Sequence, residues 1–530
     1  MTLIHGIPAN VVHVTAGIYA LLLIATLIVG LLRWRNLGDR YEELARRTSS
    51  WWWMIGAFTV CVLFNQTVTI VFLAFISYLA LKEYLSLIPT RRIDRELLLF
   101  AYLAIPLQYY WAAMDWYGMF IVFVPVWMFL FFPALMALRG ETQNFLSAVG
   151  TLSWGLMLTV FALSHMAMLL VSGEVPNPVA GGIGLLLFLV LLAQFNDVAQ
   201  YCWGKLLGRH KVTPKVSPNK TWEGLIGGVA TTILLASLIG PYLTPMDWLW
   251  SALAGGVIGV TGFLGDITIS AVKRDLGVKD TGGLLPGHGG ILDRVDSLTY
   301  AAPASSAISS IHEQESADPA AALSVLRGRG ARGHSRRDGI DRAEPPAHAR
   351  GRPSHAGGQP QLQSRCARHH VADAAQAAAE AAPRGGDGLF QYEQFSRLVR
   401  QQHHRHHSGE AGQRQGRRQS AQACRGSALD RGEILVIFPE GTRGEPEALQ
   451  AFKKGIGHLA RARPKVPVVP VFMHGLGKTL PRGSKLFVPF NCIVSIGEPL
   501  YGKESYEEFV AELAASMTAL AAAEKLPAWE

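Results

Sequence analysis

The chain has 530 residues, 49% of them hydrophobic and only 17% charged, with a formal charge of +9 at pH 7. The apolar residues crowd into the first 300 positions, which excludes a single soluble domain and admits one large membrane body with an appendage. The charge does not define a nucleic-acid surface, because residues 304–430 alone hold 18 Arg against 12 Asp and Glu and the remainder is nearly balanced; no nucleic-acid partner is expected. The cysteines (Cys61, Cys202, Cys366, Cys424, Cys492) are scattered without CxxC spacing, so neither a disulfide framework nor a zinc ribbon is expected.

In chain order, residues 1–303 read as an all-α, polytopic membrane body with about nine transmembrane helices, since a span needs ~20 apolar residues. The N-terminus lacks the basic region of a cleavable signal, and VVHVTAGIYALLLIATLIVGLL supplies the first span. The stretch from Trp51 to about Ile88 is too long for one helix and divides near Asn65 and Gln66. Further spans are expected near 97–113, 117–138, 146–171, 180–200, 223–243 and 248–270. Arg33, Arg35, Arg40, Arg46 and Arg47 follow the first span and place that loop in the cytoplasm. Alternation then brings RRIDR (91–95), the basic loop 208–220 and KRDLGVK (273–279) to the same side. The loops MDWYG, SGEVPNPVAGG and PYLTPMD, without Lys or Arg, fall on the other. The polar motifs thus face the cytoplasm from the cytoplasmic (inner) membrane.

Those motifs cluster at 197–223 and 266–296. They supply carboxylates (Asp197, Glu223, Asp266, Asp280, Asp293, Asp296) and cations (Lys220, Lys273, Arg274, Arg294) at a membrane boundary, where ionisable groups are costly to hold. Carboxylates for a hard cation and Lys or Arg for phosphate charge suit Mg²⁺-dependent phosphoryl or nucleotidyl transfer. Gly282, Gly283, Gly287, Gly289 and Gly290 would let backbone N–H groups approach phosphates. Plainer readings stand beside these. His288 suits a turn, Asp197 a helix end and Glu223 a favourable first-turn charge, while Asp275 and Arg294 suit solvated or paired charges.

From Ser270 to Ser297 the chain reads SxxKRxxxxKDxGxxxPGHGGxxDRxDS, preceded by SPNKTWEG at 217–224. This pattern resembles the phosphatidate cytidylyltransferase (CDP-diglyceride synthase) family over about residues 1–303. The resemblance implies transfer of a cytidylyl group from CTP to phosphatidate at the lipid bilayer, with Mg²⁺ as cofactor; a homodimer is left open. On that resemblance Asp266 and Asp293 are the expected metal ligands, and Lys273, Arg274, Asp280, His288 and Asp296 the catalytic set. Ser217, Lys220, Thr221, Ser270, Gly289, Gly290 and Arg294 are the expected substrate contacts. A CTP-dependent polyprenol or phytol kinase is the alternative enzyme, and an inactive fusion of two enzyme fragments the alternative without activity.

Residues 304–430 hold no Lys, Trp or Met but ten of the seventeen His, and read as low-complexity and disordered. The run RQQHHRHHSGE places His403, His404, His406 and His407 together, yet no Cys or carboxylate completes a spaced metal set. Codons displaced by one nucleotide allow those histidines to be isoleucines. Over 359–371 the same displacement allows an HxxxxD followed by an apolar run. The segment therefore reads as an out-of-frame translation joining two reading frames, which DNA sequencing across 295–435 decides.

Residues 431–530 read as a truncated, partial α/β domain, with GEILVIF as a buried strand, VPVVPVF as another, and SYEEFVAELAASMTALAAAE as a closing amphipathic helix. FPEGTR (438–443) resembles the 1-acylglycerol-3-phosphate acyltransferase family over about 428–530, implying substrate contacts from Glu440, Gly441 and Arg443. The His base with its orienting Asp should stand 70–80 residues upstream in that resemblance, but His355, His369 and His370 have no Asp at the required spacing. No acyl transfer is expected from the chain as written.

Overall fold

A computed structural model describes residues 2–4, 7–34, 40–90, 94–140, 142–171, 177, 179–282, 289–317, 429, 434–441, 447–481 and 486–523. A strand pair, β1 (Thr2–Ile4) and β2 (Ile7–Pro8), precedes helix α1 (Ala9–Trp34). Helix α2 (Arg40–Phe64) ends where Asn65 turns extended, and the Asn65 side chain accepts from Val68 N at 2.8 Å to cap α3 (Gln66–Leu87). There follow α4 (Arg95–Ala113), α5 (Tyr117–Leu138), α6 (Phe145–Val171) and α7 (Gly181–Leu207). An antiparallel hairpin, β3 (Lys211–Thr213) and β4 (Ser217–Thr221), leads into α8 (Trp222–Leu243), α9 (Trp248–Asp275), α10 (Leu292–Val295) and α11 (Leu298–Ala317).

All nine segments expected to span are helical, but the span count needs correction. Among the described residues, seven helices are long and apolar enough to cross a membrane: α1, α3, and α5 to α9. Helix α2 opens with RYEELARR, and α4 carries Arg95, Glu96 and Gln108, which lowers the apolarity of both. The chain is a mostly helical, multi-pass membrane protein. The body is also not purely helical, because the basic loop at 208–220 closes into the β3–β4 hairpin. The polar stretch after residue 303 continues α11 as far as Ala317, with Ser305, Ser306 and Ser309 buried.

The core lies where α3, α4 and α6 meet. Tyr84, Leu85, Leu97, Leu98 and Leu163 are fully enclosed there, and Tyr84 packs so close to Gly155 that a methyl group at that glycine would collide with the ring. Tyr84 Oη also donates to Thr151 O at 2.9 Å, which satisfies the one polar atom of that side chain.

The C-terminal part contains α12 (Gly455–Ala462), β5 (Val471–His474), α13 (Leu476–Thr479), β6 (Ile493–Ile496) and α14 (Tyr506–Ala523). Helix α14 is the expected closing helix, burying Phe509, Leu513 and Met517 on one face. Of VPVVPVF, the last two residues enter β5, which pairs antiparallel with β6. The buried strand expected at GEILVIF is corrected: residues 434–438 form no strand, and Ile434, Val436 and Phe438 are exposed. A central strand needs neighbours on both sides, and residues 434–438 have none among the described residues.

This C-terminal part rests on the body through a strap whose described residues are 478–481 and 486–491. The Arg95 guanidinium donates to the carbonyl oxygens of Lys478, Thr479 and Leu486, the last at 2.7 Å. Tyr102 Oη donates to Pro489 O at 2.8 Å, and Asn491 N donates to Ser86 Oγ at 2.8 Å. Val488 and Phe490 join the same buried core as the membrane helices.

Candidate active site

Three pieces of chain meet at one end of the helical body: the β3–β4 hairpin, the last turns of α9, and the loop leading into α10. On α9 the residues Asp266, Ser270 and Lys273 recur at i, i+4 and i+7 and so share a face. Ser270 Oγ donates to Asp266 Oδ1 at 3.2 Å. Strand β4 delivers Lys220, whose Nζ lies 2.5 Å from Asp266 Oδ2 and 3.4 Å from Gln200 Oε1, above the Phe263 ring. Two further residues, Arg274 and Glu223, hold the hairpin in place. Arg274 Nε donates to Val216 O at 3.1 Å, and the Glu223 carboxylate accepts from the backbone N–H groups of Arg209 and His210 and pairs with His210 Nδ1 at 2.6 Å. Glu223 thus anchors the hairpin to α8. Thr221 is the N-cap of that helix, its hydroxyl accepting from Gly224 N at 3.1 Å. Ser217 pairs with Thr213 in the hairpin.

The loop is organised around Asp293. Lys273 Nζ donates to Asp293 Oδ1 at 2.7 Å, while Oδ2 accepts from Thr281 N at 2.8 Å, Thr281 Oγ1 at 3.0 Å and Gly290 N at 3.2 Å. The Asp293 side chain is only 6% exposed, and such a buried ion pair is tolerable because its remaining lone pairs are satisfied. Burial pushes this carboxyl up, but Lys273 and the two backbone donors prevail and hold it below the usual carboxylate range. Gly289 has a left-handed backbone (φ 77°), and a side chain there would come within 2.9 Å of Asp293 Oδ2, so both conformation and space call for glycine.

Asp296 ends α10 and accepts from Ser297 N at 2.7 Å. Its backbone carbonyl packs against Gly265 so closely that any side chain at 265 would strike it, which brings Asp296 beside Asp266. Burial, reinforced by the Asp266 and Asp197 carboxylates, pushes Asp296 well above the usual range. Asp197, on α7, keeps its Oδ1 buried without a hydrogen-bond partner, with Lys220 and Arg294 within electrostatic reach.

Of the residues singled out from sequence, Lys220, Asp266, Ser270, Lys273, Gly289, Gly290, Asp293 and Asp296 therefore come together. Asp280 is exposed beside Gly289. Arg274 and Thr221 serve the hairpin and the helix cap in this structure. His288 lies outside the described residues. Sequence reading missed Glu83 on α3 and did not single out Thr281. Glu83 is buried and accepts from Ile291 N at 2.9 Å, Leu292 N at 2.8 Å and Thr281 Oγ1 at 3.2 Å. A lone acidic residue inside YLALKEYLSL was the available signal, since a carboxylate within a span needs a reason.

A divalent cation can be tested against these groups. Among the described residues, no three carboxylates or imidazoles already converge as a ligand set. The crowding of Asp197, Asp266 and Asp296, with one carboxylate oxygen unpartnered, nevertheless suits an ion that takes one or two carboxylates and completes its shell with phosphate oxygens and water.

In the C-terminal part, Gly441 has a left-handed backbone (φ 73°) and donates to Phe438 O at 3.0 Å, closing a turn that presents Glu440. Arg443 and the candidate histidines upstream lie outside the described residues. The nearest ordered imidazole–carboxylate pair is His474 with Glu447 (2.6 Å), and Glu447 also accepts from the N–H groups of Gly475 and Lys478 at 3.1 Å. Both side chains are nearly enclosed, so the pair latches Glu447 onto the end of β5.

Comparison with known proteins agrees with this division. The profile of the cytidylyltransferase family matches residues 45–312, and that of the acyltransferase family matches 385–474. Uncharacterized protein YnbB of Escherichia coli K12 is 46% identical over 288 residues, which is 54% of this chain and 94% of that protein. Phosphatidate cytidylyltransferase of Haemophilus influenzae is 42% identical over 134 residues (23% of this chain, 44% of that protein). The enzyme of the same name from Brucella suis is 41% identical over 143 residues (26% and 50%). The chain thus spans about half the length of these two enzymes.

Proposed function

This chain belongs to the cytidylyltransferase family, and from that premise we propose that it transfers the cytidylyl group of CTP to phosphatidate in the cytoplasmic leaflet of the inner membrane. A phosphate oxygen of phosphatidate attacks the α-phosphorus of CTP; the bond from that phosphorus to the bridging oxygen of the β-phosphate breaks. CDP-diacylglycerol and pyrophosphate result. The observation that carries this reading is the two largely buried ion pairs, Lys220 with Asp266 and Lys273 with Asp293, that one face of α9 makes with the hairpin and with the start of α10.

The attacking oxygen is already anionic, so the site must align the two substrates and offset phosphate charge more than remove a proton. Lys220, delivered by β4, and Lys273, on α9, supply that charge. Asp266, with Asp296 and Asp197, would hold Mg²⁺, which when bound polarises the triphosphate and screens it from the carboxylates. Asp293, expected from sequence as a second ligand, has both oxygens engaged by loop donors and Lys273; in this proposal it organises the loop and presents Lys273. The C-terminal fragment takes no part in the step.

Membranes carrying the full chain, supplied with CTP, Mg²⁺ and phosphatidate, should form CDP-diacylglycerol with stoichiometric pyrophosphate. Release of CDP with a phosphorylated prenol instead would replace the reading by a lipid kinase. No CTP-dependent product at all would favour the inactive fusion.

A further inference from the structure

Glu83 stands apart from the charges of the site. It is 3% exposed near the end of a helix apolar enough to cross the membrane, and among the described residues every hydrogen-bond partner of its carboxylate belongs to the signature stretch 270–297. No cation is paired with it among the described residues; two successive backbone N–H groups and one hydroxyl do that work instead. Such an arrangement is expensive unless each donor is held in place, so the carboxylate and the loop constrain each other.

Two glycines of the signature reveal how closely they fit. A side chain at Gly290 would overlap the Glu83 carboxylate and the Thr281 hydroxyl, and one at Gly282 would come within 3.1 Å of Glu83 Oε1. These glycines therefore make room for Glu83, in addition to any access they give to phosphates. Thr281 lies between the two acids, its hydroxyl 3.2 Å from Glu83 Oε2 and 3.0 Å from Asp293 Oδ2. Both ends of the loop, 281–282 and 290–292, are thus gathered on one carboxylate of α3.

We propose that Glu83 is the positioning residue of the cytidylyl-transfer site, fixing both ends of the signature loop so that Asp293 meets Lys273. This rests on the reaction proposed above. Replacing Glu83 by Gln keeps the volume but sets an amide N–H₂ against one of the two backbone N–H donors. Glu83→Gln should lower kcat roughly 10–100-fold, the range for residues that orient a site from behind, with KM for CTP changed far less. Glu83→Asp keeps the charge and should recover part of kcat. Thr281→Val, which removes only the bridging hydroxyl, should give a smaller loss of the same kind and serves if Glu83→Gln fails to accumulate.

Peptide-resolved hydrogen exchange of the full chain decides the positioning role independently of turnover. Exchange should quicken at Ile291 and Leu292 in Glu83→Gln and stay unchanged across α4 and α6. Unchanged protection at 291 and 292, a kcat equal to wild type, or a general loss of protection through the helices would each overturn the inference. Should the unaltered chain yield no CDP-diacylglycerol, the proposed reaction fails, and the exchange pattern still decides whether Glu83 holds the loop.

Discussion

The helical body and the C-terminal part both carry a recognisable motif, and among the described residues the two differ in how far the motif residues engage other elements. Asp266 pairs with Lys220 and Asp293 with Lys273, and a carboxylate from a third helix holds the loop. Around FPEGTR the turn forms, but the segment before it pairs with no described strand; Ile437 packs against the small C-terminal core while Ile434, Val436 and Phe438 are exposed. Residue types at the right spacing are enough to make a turn. A site also needs the elements on either side that desolvate those residues and fix their rotamers.

The sharpest way to break this contrast is to remove one charge from each motif. Asp293→Asn leaves Lys273 buried without its anion and sets an amide N–H₂ against either Lys273 or the loop donors, and uncompensated buried charges cost about 3–5 kcal/mol. Cytidylyl transfer should fall by at least a thousandfold while the protein stays in the membrane fraction, as measured by labelled CTP incorporation and immunoblotting. Glu440→Gln should leave the same activity within twofold. A fully active Asp293→Asn would remove the centre of the proposed site, and a large loss in Glu440→Gln would join the two regions into one active unit.

The strap offers a milder test of the same separation. Arg95→Ala takes three hydrogen bonds from the carbonyls of Lys478, Thr479 and Leu486 and leaves those acceptors buried, at about 1–3 kcal/mol for each unsatisfied group. Exchange and protease cleavage at 476–491 should rise strongly, whereas cytidylyl transfer should change by less than about threefold. A tenfold fall in transfer would show that the docked strap supports the site through α3, where Ser86 binds Asn491 one turn beyond Glu83.

Much of this was legible from the residues. Apolar runs placed the first nine of the body's eleven described helices, and Asn65 marked the break between α2 and α3 because its side chain can replace the missing helical acceptor. The spacing of Asp266, Ser270 and Lys273 put them on one helical face without any structure. The sequence did not show that α2 would reach back to Arg40 and take in the charged RYEELARR, nor that 208–220 would pair as a hairpin. Glu83 was hidden for a different reason. Its partners lie some two hundred positions later and are mostly backbone N–H groups, which no motif spells out. The strand expected at GEILVIF failed for the converse reason: β propensity describes a fit to neighbours, and those neighbours are absent from the described part of the chain.

The smallest expected effect concerns acid, and it separates the regions by the partner each acid has chosen. Burial raises the Glu447 carboxyl, but the His474 ring and the N–H groups of Gly475 and Lys478 outweigh it and hold Glu447 below the usual glutamate range. A depressed carboxyl stabilises the fold fully above its unfolded value of about 4.3, and that contribution is lost as pH falls through the lower folded value. Asp293 follows the same sign. At neutral pH Glu447→Gln should loosen the 474–478 segment by roughly 1.5–3 kcal/mol, the scale of hydrogen bonds to a charged group. The difference from wild type should shrink as pH drops toward 3, because the native carboxylate is then protonated as well. Exchange at Gly475, corrected for intrinsic rate, measures it. A difference that stays constant across that range would mean the latch depends on the shape of the side chain, and its charge would then have no part in holding the C-terminal fragment together.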